Sequence, residues 1–596
     1  MFETSFKSTS EFLQVRTNFG TEIVPAYPRV NPLTCEQAHR LHIYLRRRTL
    51  TTGKDVTPFK PFPQWQRTIH KTIAIPFVTE SISIKHVMYI VGLLAINLIF
   101  IFCAPFTVSG GYMLPVGDVS NRRCVYVGLA NFTIAFTVIT RNSVLSKLAS
   151  FSFDELVPFH RWYTKIGLAE CSVHIGYQIW KGYNKFGNAK DSLFYDMEYQ
   201  SGTIAALGYI ILYLTSFEFI RRNYFEVFYY SHLIGVLMAV GATFAHQYGA
   251  IAFLAPGVFL WVVDRAIRFY NSNYTQTETI SVEAAANQPF TRILFRKENL
   301  EKSFVPGQYV FLSIRQSKGV RKVFDTLNWH PFTISEILPA YSKHEKDQLL
   351  ERGKFSEVIK VTDQEKSSEE PISSTPTSSP TAVSETGSDN TAYSSGVASV
   401  HIKDLGNMTR RLFANAQTDA SQLEVSVDGP FGSNSLHFQD YETVILFSAG
   451  VGVTPSLTIL KDLVERRSKG YSTVRTKTIH FLWSLRKSEH ADAFVSILNS
   501  CNKLVEQSVQ PLTILFQLFV SEGEASDKAG LEDALGQNVV VHLRKADIPE
   551  IMEDLARQHT TERVAVQTCG PAVFMRQVQN AAAFNGWSIR TETFEF

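Results

Sequence analysis

The sequence predicts a membrane α-helical bundle of six spans followed by a cytosolic module, an antiparallel β-barrel and then an α/β domain. Three observations carry that fold class. Apolar runs of spanning length are confined to residues 86–270, at about 86–106, 122–140, 158–180, 203–220, 225–247 and 250–268. After residue 270 the pattern turns to short β-rich runs punctuated by Pro and Gly. From residue 443 a strand runs into a glycine turn and an apolar helix.

Composition bounds the function before any motif does. The 596 residues leave room for several domains, and the mean hydropathy of −0.03 looks soluble only because an apolar and a polar half cancel. A net charge of +3 with dispersed basic residues excludes a nucleic-acid partner. Six cysteines show no paired metal-ligand spacing, so neither a disulfide framework nor a zinc site is expected, although Cys103 and Cys124 are placed near the oxidising side.

Six crossings put both termini on one side. Arg67, Lys71, Lys85, Arg141, Lys147, Arg221, Arg222, Arg265 and Arg268 fall near the proposed inner ends, against Arg122, Arg123, Lys181, Lys185 and Lys190 outside, so the termini are expected to be cytosolic. Residues 1–85 then form a cytosolic N-terminal segment, with no basic n-region and apolar run of a cleavable signal.

Within the spans, His160 and His174 repeat the spacing of His232 and His246, fourteen positions in each case. Fourteen residues rise about 21 Å along a helix and return to within about 40° of the same face. Two such helices side by side, running the same way, can share one haem between His160 and His232 and another between His174 and His246. Imidazole on both axial positions leaves the iron no open site, which suits electron transfer. No Cys-x-x-Cys-His occurs, so the haems of this bis-haem bundle are expected to be non-covalent and b-type. Glu170, one turn before His174, is an ionisable group in a span and therefore a functional candidate, for a hydrogen bond near the outer haem or a proton relay; pairing with another polar group of the bundle is the alternative.

In the soluble half, Gln308–Ile314 after Pro306-Gly307 reads as a barrel strand with its turn. Residues 366–399 are dominated by Ser, Thr, Pro, Glu and Gly, and a disordered insertion of about 340–399 is expected within the barrel domain. Thr443–Ser448 leads into Ala449-Gly450-Val451-Gly452-Val453-Thr454-Pro455, where the glycines let backbone amides approach a pyrophosphate at a helix start. The strand Thr478–Trp483 ends in Ser484-Leu485-Arg486-Lys487, where an NAD enzyme would show an acidic residue; basic residues favour the 2'-phosphate of NADPH.

His330-Pro331-Phe332-Thr333 followed by His401–Thr409 resembles the FAD-binding barrel of the ferredoxin-reductase type. The resemblance implies that the first motif holds the flavin, that Lys403 meets its pyrophosphate, and that amides around Gly406 and the Thr409 hydroxyl donate hydrogen bonds to it. Asp428-Gly429-Pro430-Phe431-Gly432 belongs to the same pattern, Cys569-Gly570-Pro571 would lie beside the nicotinamide, and the terminal Phe596 would cover the flavin ring. From about residue 86 to 596 the chain resembles the fungal ferric/cupric reductase transmembrane components, relatives of the NADPH oxidases. Phe159-His160-Arg161-Trp162 and Phe225–His232 look like that family's haem-helix signatures, with Lys165 where a basic residue is usual; Arg161 is a candidate for a haem propionate.

The domains are thus residues 1–85, a 86–270 ferric-reductase-like bundle, a 275–437 FAD barrel and a 440–596 NADPH domain. The family implies electron flow from cytosolic NADPH through FAD and two haems to ferric or cupric chelates across the bilayer, in the plasma membrane or else the vacuolar or endoplasmic reticulum membrane, with a homo-oligomer or uptake-system partner open. The alternative is an oxidase giving superoxide. Only about Gln247–Ala250 separate the last two spans, which leaves the outer haem edge open and favours chelates, though Lys181–Ser201 is a candidate lid. An inactive regulatory paralogue is a third reading, against which the intact flavin and nucleotide motifs argue.

Overall fold

The computed structural model describes residues 67–592 apart from 76–78, 104–115, 142–152, 317–324, 339–396 and shorter loop stretches, all within one compact unit, Thr57–Phe596. Phe596 and most of the expected insertion lie outside the described residues.

All six apolar runs are helical: α1 (Ile84–Cys103), α2 (Val116–Val138), α3 (Phe153–Phe186), α5 (Met197–Thr215), α7 (Phe225–His246) and α8 (Tyr248–Tyr274), with short helices α4 (Ala189–Phe194) and α6 (Glu218–Asn223) between. Among the described residues α1, α7 and the Tyr248–Asn271 part of α8 are long and apolar enough to cross a membrane. α2 and α3 miss that mark because polar residues interrupt them, Arg122 and Arg123 in one, Arg161, Lys165 and Glu170 in the other. Several expected boundaries move outward. α3 starts at Phe153 and carries Pro158 inside it, and α8 runs to Tyr274 through Pro256.

The bundle is apolar on its outer surface, and polar side chains such as Asn97, Asn131 and Glu170 are buried beside an apolar core of Leu129, Phe132, Tyr209 and Leu254. On α1, Val91, Ile99 and Phe102 are 60%, 59% and 67% exposed while Asn97 is 5% exposed. Water would penalise that outer belt; a lipid bilayer accommodates it, and a bilayer gives polar side chains reason to face each other. Helix pairs meet through small residues. A Cβ on Gly128 of α2 would stand 2.9 Å from the Gly167 carbonyl oxygen of α3, and one on Gly208 of α5 would stand 2.6 Å from the Ala239 nitrogen of α7.

Before α1, a hairpin of β1 (Thr72–Ile75) and β2 (Thr79–Ser83) forms part of the expected N-terminal segment. After α8 come β3 (Thr277–Ala284), β4 (Phe290–Lys297), β5 (Tyr309–Arg315), β6 (His330–Leu338), β7 (Val397–Lys403), α9 (Asn407–Thr418) and β8 (Glu424–Phe431). The six strands form one antiparallel sheet, order β3-β4-β7-β6-β5-β8, around a core of Ile293, Phe295, Val310, Leu312, Ile334 and Val400. β7 corrects the far edge of the insertion: Val397, Ala398 and Ser399, assigned to it by composition, are buried and paired with β4.

The last domain holds β9 (Thr443–Ala449), α10 (Val453–Ser468), β10 (Thr478–Leu485), α11 (Asp492–Glu506), β11 (Thr513–Val520), α12 (Ala525–Leu535), β12 (Val539–His542), α13 (Ile548–Gln558), β13 (Val564–Cys569), α14 (Ala572–Phe584) and β14 (Ser588–Glu592). Its sheet is parallel, order β12-β11-β10-β9-β13-β14, and its central strands are apolar on both faces, as helices on both sides require. Strand order reverses between β9 and β13. That reversal opens a crevice at their carboxyl ends, where such sheets bind ligands.

Candidate functional site

The four histidines come together in the expected pairs. His174 and His246 have ring centroids 6.3 Å apart at an interplanar angle of 74°. A ring nitrogen binds a first-row metal at about 2 Å and its centroid lies about 1 Å behind, so two imidazoles across one iron stand about 6 Å apart. His160 and His232 lie close enough to interact electrostatically.

Each ligand needs a lone pair on Nε2, which its other nitrogen secures by carrying the proton. His160 Nδ1 donates to the Ala135 carbonyl at 3.0 Å and His246 Nδ1 to the Glu198 carbonyl at 2.8 Å. His232 Nδ1 pairs with the Ser216 hydroxyl at 3.3 Å. His174 Nδ1 is buried without a partner. A glycine seats the outer pair: a Cβ on Gly202 would meet His246 Cε1 at 2.9 Å. No three His, Cys, Asp or Glu side chains among the described residues converge on a metal ion, so the donor set is one of facing imidazole pairs, which fits haem.

Glu170 of α3 is buried against two other helices. Its two carboxylate oxygens accept from Asn97 Nδ2 of α1 at 2.9 Å and Asn131 Nδ2 of α2 at 2.8 Å, and its backbone carbonyl accepts from Cys124 Sγ at 3.4 Å.

Both helices carrying inner-pair histidines begin at the β-barrel. Phe225, first residue of α7, lies against His330, first residue of β6, with ring centroids 6.2 Å apart and tilted at 48°. Asp154, in the first turn of α3, accepts from the Tyr309 hydroxyl at 3.3 Å, and Tyr309 pairs across the sheet with Thr333. The contact of the first flavin motif with α7 is therefore seven residues, two helical turns or about 10 Å of rise, from His232, and the Tyr309 contact with α3 is six residues from His160. Burial pushes the His330 imidazole down to about 4, so it is neutral here. The Asn328 amide donates to the Tyr230 hydroxyl at 3.2 Å across the same seam.

Asp428 of the Asp-Gly-Pro-Phe-Gly motif fastens that seam. Its Oδ2 meets Arg141 at 3.5 Å and Arg268 of α8 at 3.1 Å, all three side chains being buried. Lys297 Nζ donates to the neighbouring Gly429 carbonyl at 2.7 Å.

The second flavin motif departs in one detail from expectation. Lys403 ends β7, half-buried, with burial and then Arg486 holding its ammonium below the ordinary value. The Leu405 and Gly406 amides both donate to Thr409 Oγ1 at 2.9 Å, so the loop spends them on its own cap.

In the sheet crevice, Gly450 takes a φ of +57° and Gly452 lies so close to β13 that a Cβ would stand 2.6 Å from the Cys569 carbonyl oxygen. Thr454 and Pro455 open α10, and Gly570 and Pro571 follow β13 beside them, so the two motifs meet where the strand order reverses. Arg486 reaches solvent and pairs with Glu522 at 2.8 Å.

One residue here was missed. Glu592 pairs in register with Cys569, and its Oε1 accepts from Thr333 Oγ1 at 3.0 Å while Oε2 is buried without a partner. Burial raises the Glu592 carboxyl to about 7, against an opposing pull from Arg590, and pushes the Cys569 thiol well up. Thr333, Cys569 and Glu592 thus bring the flavin motif and the nicotinamide motif to one place. No spacing announces this, because the partners lie in different domains.

Three family models match in tandem: "Ferric reductase like transmembrane component" over residues 124–243, "FAD-binding domain" over 277–435 and "Ferric reductase NAD binding domain" over 441–583. The chain belongs to the ferric reductase family. It is accordingly an integral membrane protein with FAD- and NAD-binding domains. Similar members include ferric reduction oxidase 7, chloroplastic, of Arabidopsis thaliana, 22% identical over 75% of this chain and 55% of that protein. NADPH oxidase 1 of Mus musculus is 23% identical over 64% of this chain and 62% of that protein. The chain thus spans between half and two thirds of the length of these relatives. A flavohemoglobin structure from Malassezia yamatoensis superposes at a TM-score of 0.35, with 12% identity over 81% of this chain and 99% of its own.

Proposed function

We propose that the chain carries electrons from NADPH through FAD and two b-type haems to ferric or cupric chelates on the opposite side of a membrane. Six helices cross the bilayer in this reading, α2, α3 and α5 joining the three apolar ones. The single observation that carries it is the pair of facing imidazoles His174 and His246, 6.3 Å apart, on helices whose other ends reach the flavin motif.

When bound, flavin accepts hydride from NADPH and passes electrons on singly. The chain's own residues arrange that exchange. Gly450 and Gly452 admit the pyrophosphate to the start of α10, Arg486 and Lys403 offer positive charge at the crevice, and Arg486 favours the 2'-phosphate. His330, Pro331, Phe332 and Thr333 hold the flavin edge, with Glu592 beside Thr333 to hold a proton. Cys569, Gly570 and Pro571 close the nicotinamide side, and Phe596 covers the ring. His160 and His232 then take the inner haem, His174 and His246 the outer.

The outer end favours a bulky acceptor. Gln247 alone joins α7 to α8, shorter than the four-residue turn expected, so nothing from that connection overhangs His246. Lys181–Ser201 is folded as the end of α3, α4 and the start of α5, beside the outer pair. We place the chain in the plasma membrane, its nucleotide domain facing the cytosol.

The test is an NADPH-driven reduced-minus-oxidised spectrum of membranes bearing the full chain, followed by ferric chelate. We expect a bis-imidazole b-type signal that chelate discharges with ferrous product. Oxygen consumption and superoxide without ferrous product would reassign the chain to the oxidase reading.

A further inference from the structure

We infer that Glu170 is a fixed negative charge, placed between the two haem levels and nearer the outer one, that holds the haem potentials down, the outer one most. The inference rests on the two-haem reading above.

Its position follows from the helix. Gly167 is seven residues from His160 and seven from His174, so it marks the midpoint between the ligand layers. Glu170 follows that midpoint on the outer side, and because side chains on α3 all lean toward its N-terminus, the carboxylate and the histidine rings shift together and keep their relative heights. Asn131, whose Cβ lies 3.3 Å from where a Cβ on Gly167 would be, donates its amide to the carboxylate from between the ligand layers. The outer ligand layer is then about 6 Å away along the axis and the inner one about 15 Å.

Its charge state follows from its partners. An ionised carboxylate only accepts, and here each oxygen receives one amide N–H from a separate helix. Neither oxygen lacks a partner, whereas a protonated oxygen would need an acceptor that the two donating amides do not offer. Gly128, Gly167 and Cys171 pack closely around it and keep water from screening the charge.

Its effect follows from charge. Reducing a haem iron from ferric to ferrous adds one electron and removes one positive charge. A nearby anion in a weakly screening medium therefore favours the ferric form at both levels, with no atom or proton transferred. Holding both potentials low keeps electrons available to an acceptor outside. A purely structural tie between α1, α2 and α3 would leave the potentials where they are.

The experiment is a spectroscopic redox titration of the full-length, haem-loaded protein against its Glu170→Gln variant. Glutamine keeps the size and hydrogen-bonding capacity but removes the charge. At a fixed poise we expect the ferrous-to-ferric ratio of both haems to rise, that of the outer haem most, on the order of tenfold. Equal titrations in the two proteins overturn the inference. If the variant fails to load haem, Glu170→Ala decides: it also removes the charge, so the ratio rises in the same direction, and no change again overturns the inference. Normal haem absorbance with unmoved potentials removes only this role. No haem absorbance in the unaltered protein removes the two-haem reading and this inference together.

Discussion

Glu592 shows how one side chain links nucleotide chemistry to stability. A carboxyl whose folded-state value lies above its unfolded one adds stability below the unfolded value and loses it as pH rises through the folded one. Glu592 is 5% exposed and moves from 4.5 to about 7, so its contribution is complete below about pH 4.5 and gone above about pH 7. The loss comes to roughly 3 kcal/mol. Heating the protein at pH 5 and pH 8, with flavin release as the readout, should show unfolding falling more steeply between the two for wild type than for Glu592→Gln; an identical fall would remove the assignment. The same substitution should flatten the corresponding limb of the pH profile for NADPH-driven flavin reduction. Glu592 was illegible beforehand because Thr333, its hydrogen-bond partner, is 259 positions away. The pairing of the four histidines was legible because a helix turns sequence spacing directly into a face and a height.

Among the elements, the helix pairs depend on close backbone approach. Gly208→Val would force a side chain into the Ala239 backbone of α7, where even a Cβ stands 2.6 Å from nitrogen. α7 carries both His232 and His246, so displacing it misaligns one ligand of each haem. We expect that variant to lose most of its haem absorbance while its flavin content holds. Gly452→Ala makes the matching test in the soluble half. Its Cβ would strike the Cys569 carbonyl and push α10 from β13, raising KM for NADPH about tenfold or more, with haem spectra unchanged; an unaltered KM would show that the crevice does not take the nucleotide. Element limits were read less well than element types. Val397-Ala398-Ser399 looked like the tail of a Ser-rich insertion because its neighbours are polar, yet β4 offers those residues a buried partner strand that composition cannot display. The apolar run put the start of α3 near residue 158, whereas the helix continues through Pro158 to Phe153 and reaches Tyr309 through Asp154.

At the scale of the whole molecule, the proposed route takes electrons out of one domain and into another, so the seam between barrel and bundle sets its rate. Two ties bear on how the parts are held together. Thr72, in the hairpin before α1, donates its amide to Asn580 Oδ1 of α14 at 2.7 Å and accepts from Asn580 Nδ2 at 3.0 Å, which fastens that hairpin to the nucleotide domain. Asp428 makes the second tie, and the sequence showed it only as part of a flavin motif. Its carboxylate is 4% exposed between Arg141 and Arg268, and Arg141 also lies over the Phe311 ring of β5. Breaking a buried pair of this kind typically costs about 3–5 kcal/mol because the surviving charge stays buried. Asp428→Asn leaves two such guanidinium groups facing a neutral amide. The nucleotide crevice lies elsewhere, so hydride transfer from NADPH should keep its rate, whereas the barrel loosens against α3 and α7. Stopped-flow absorbance separates the steps: flavin bleaching should be unchanged and haem reduction should lag it by at least about tenfold. A variant in which haem reduction still keeps pace with the flavin would mean that the Tyr309–Asp154 and His330–Phe225 contacts suffice to hold the seam, and that the arginine pair serves folding alone.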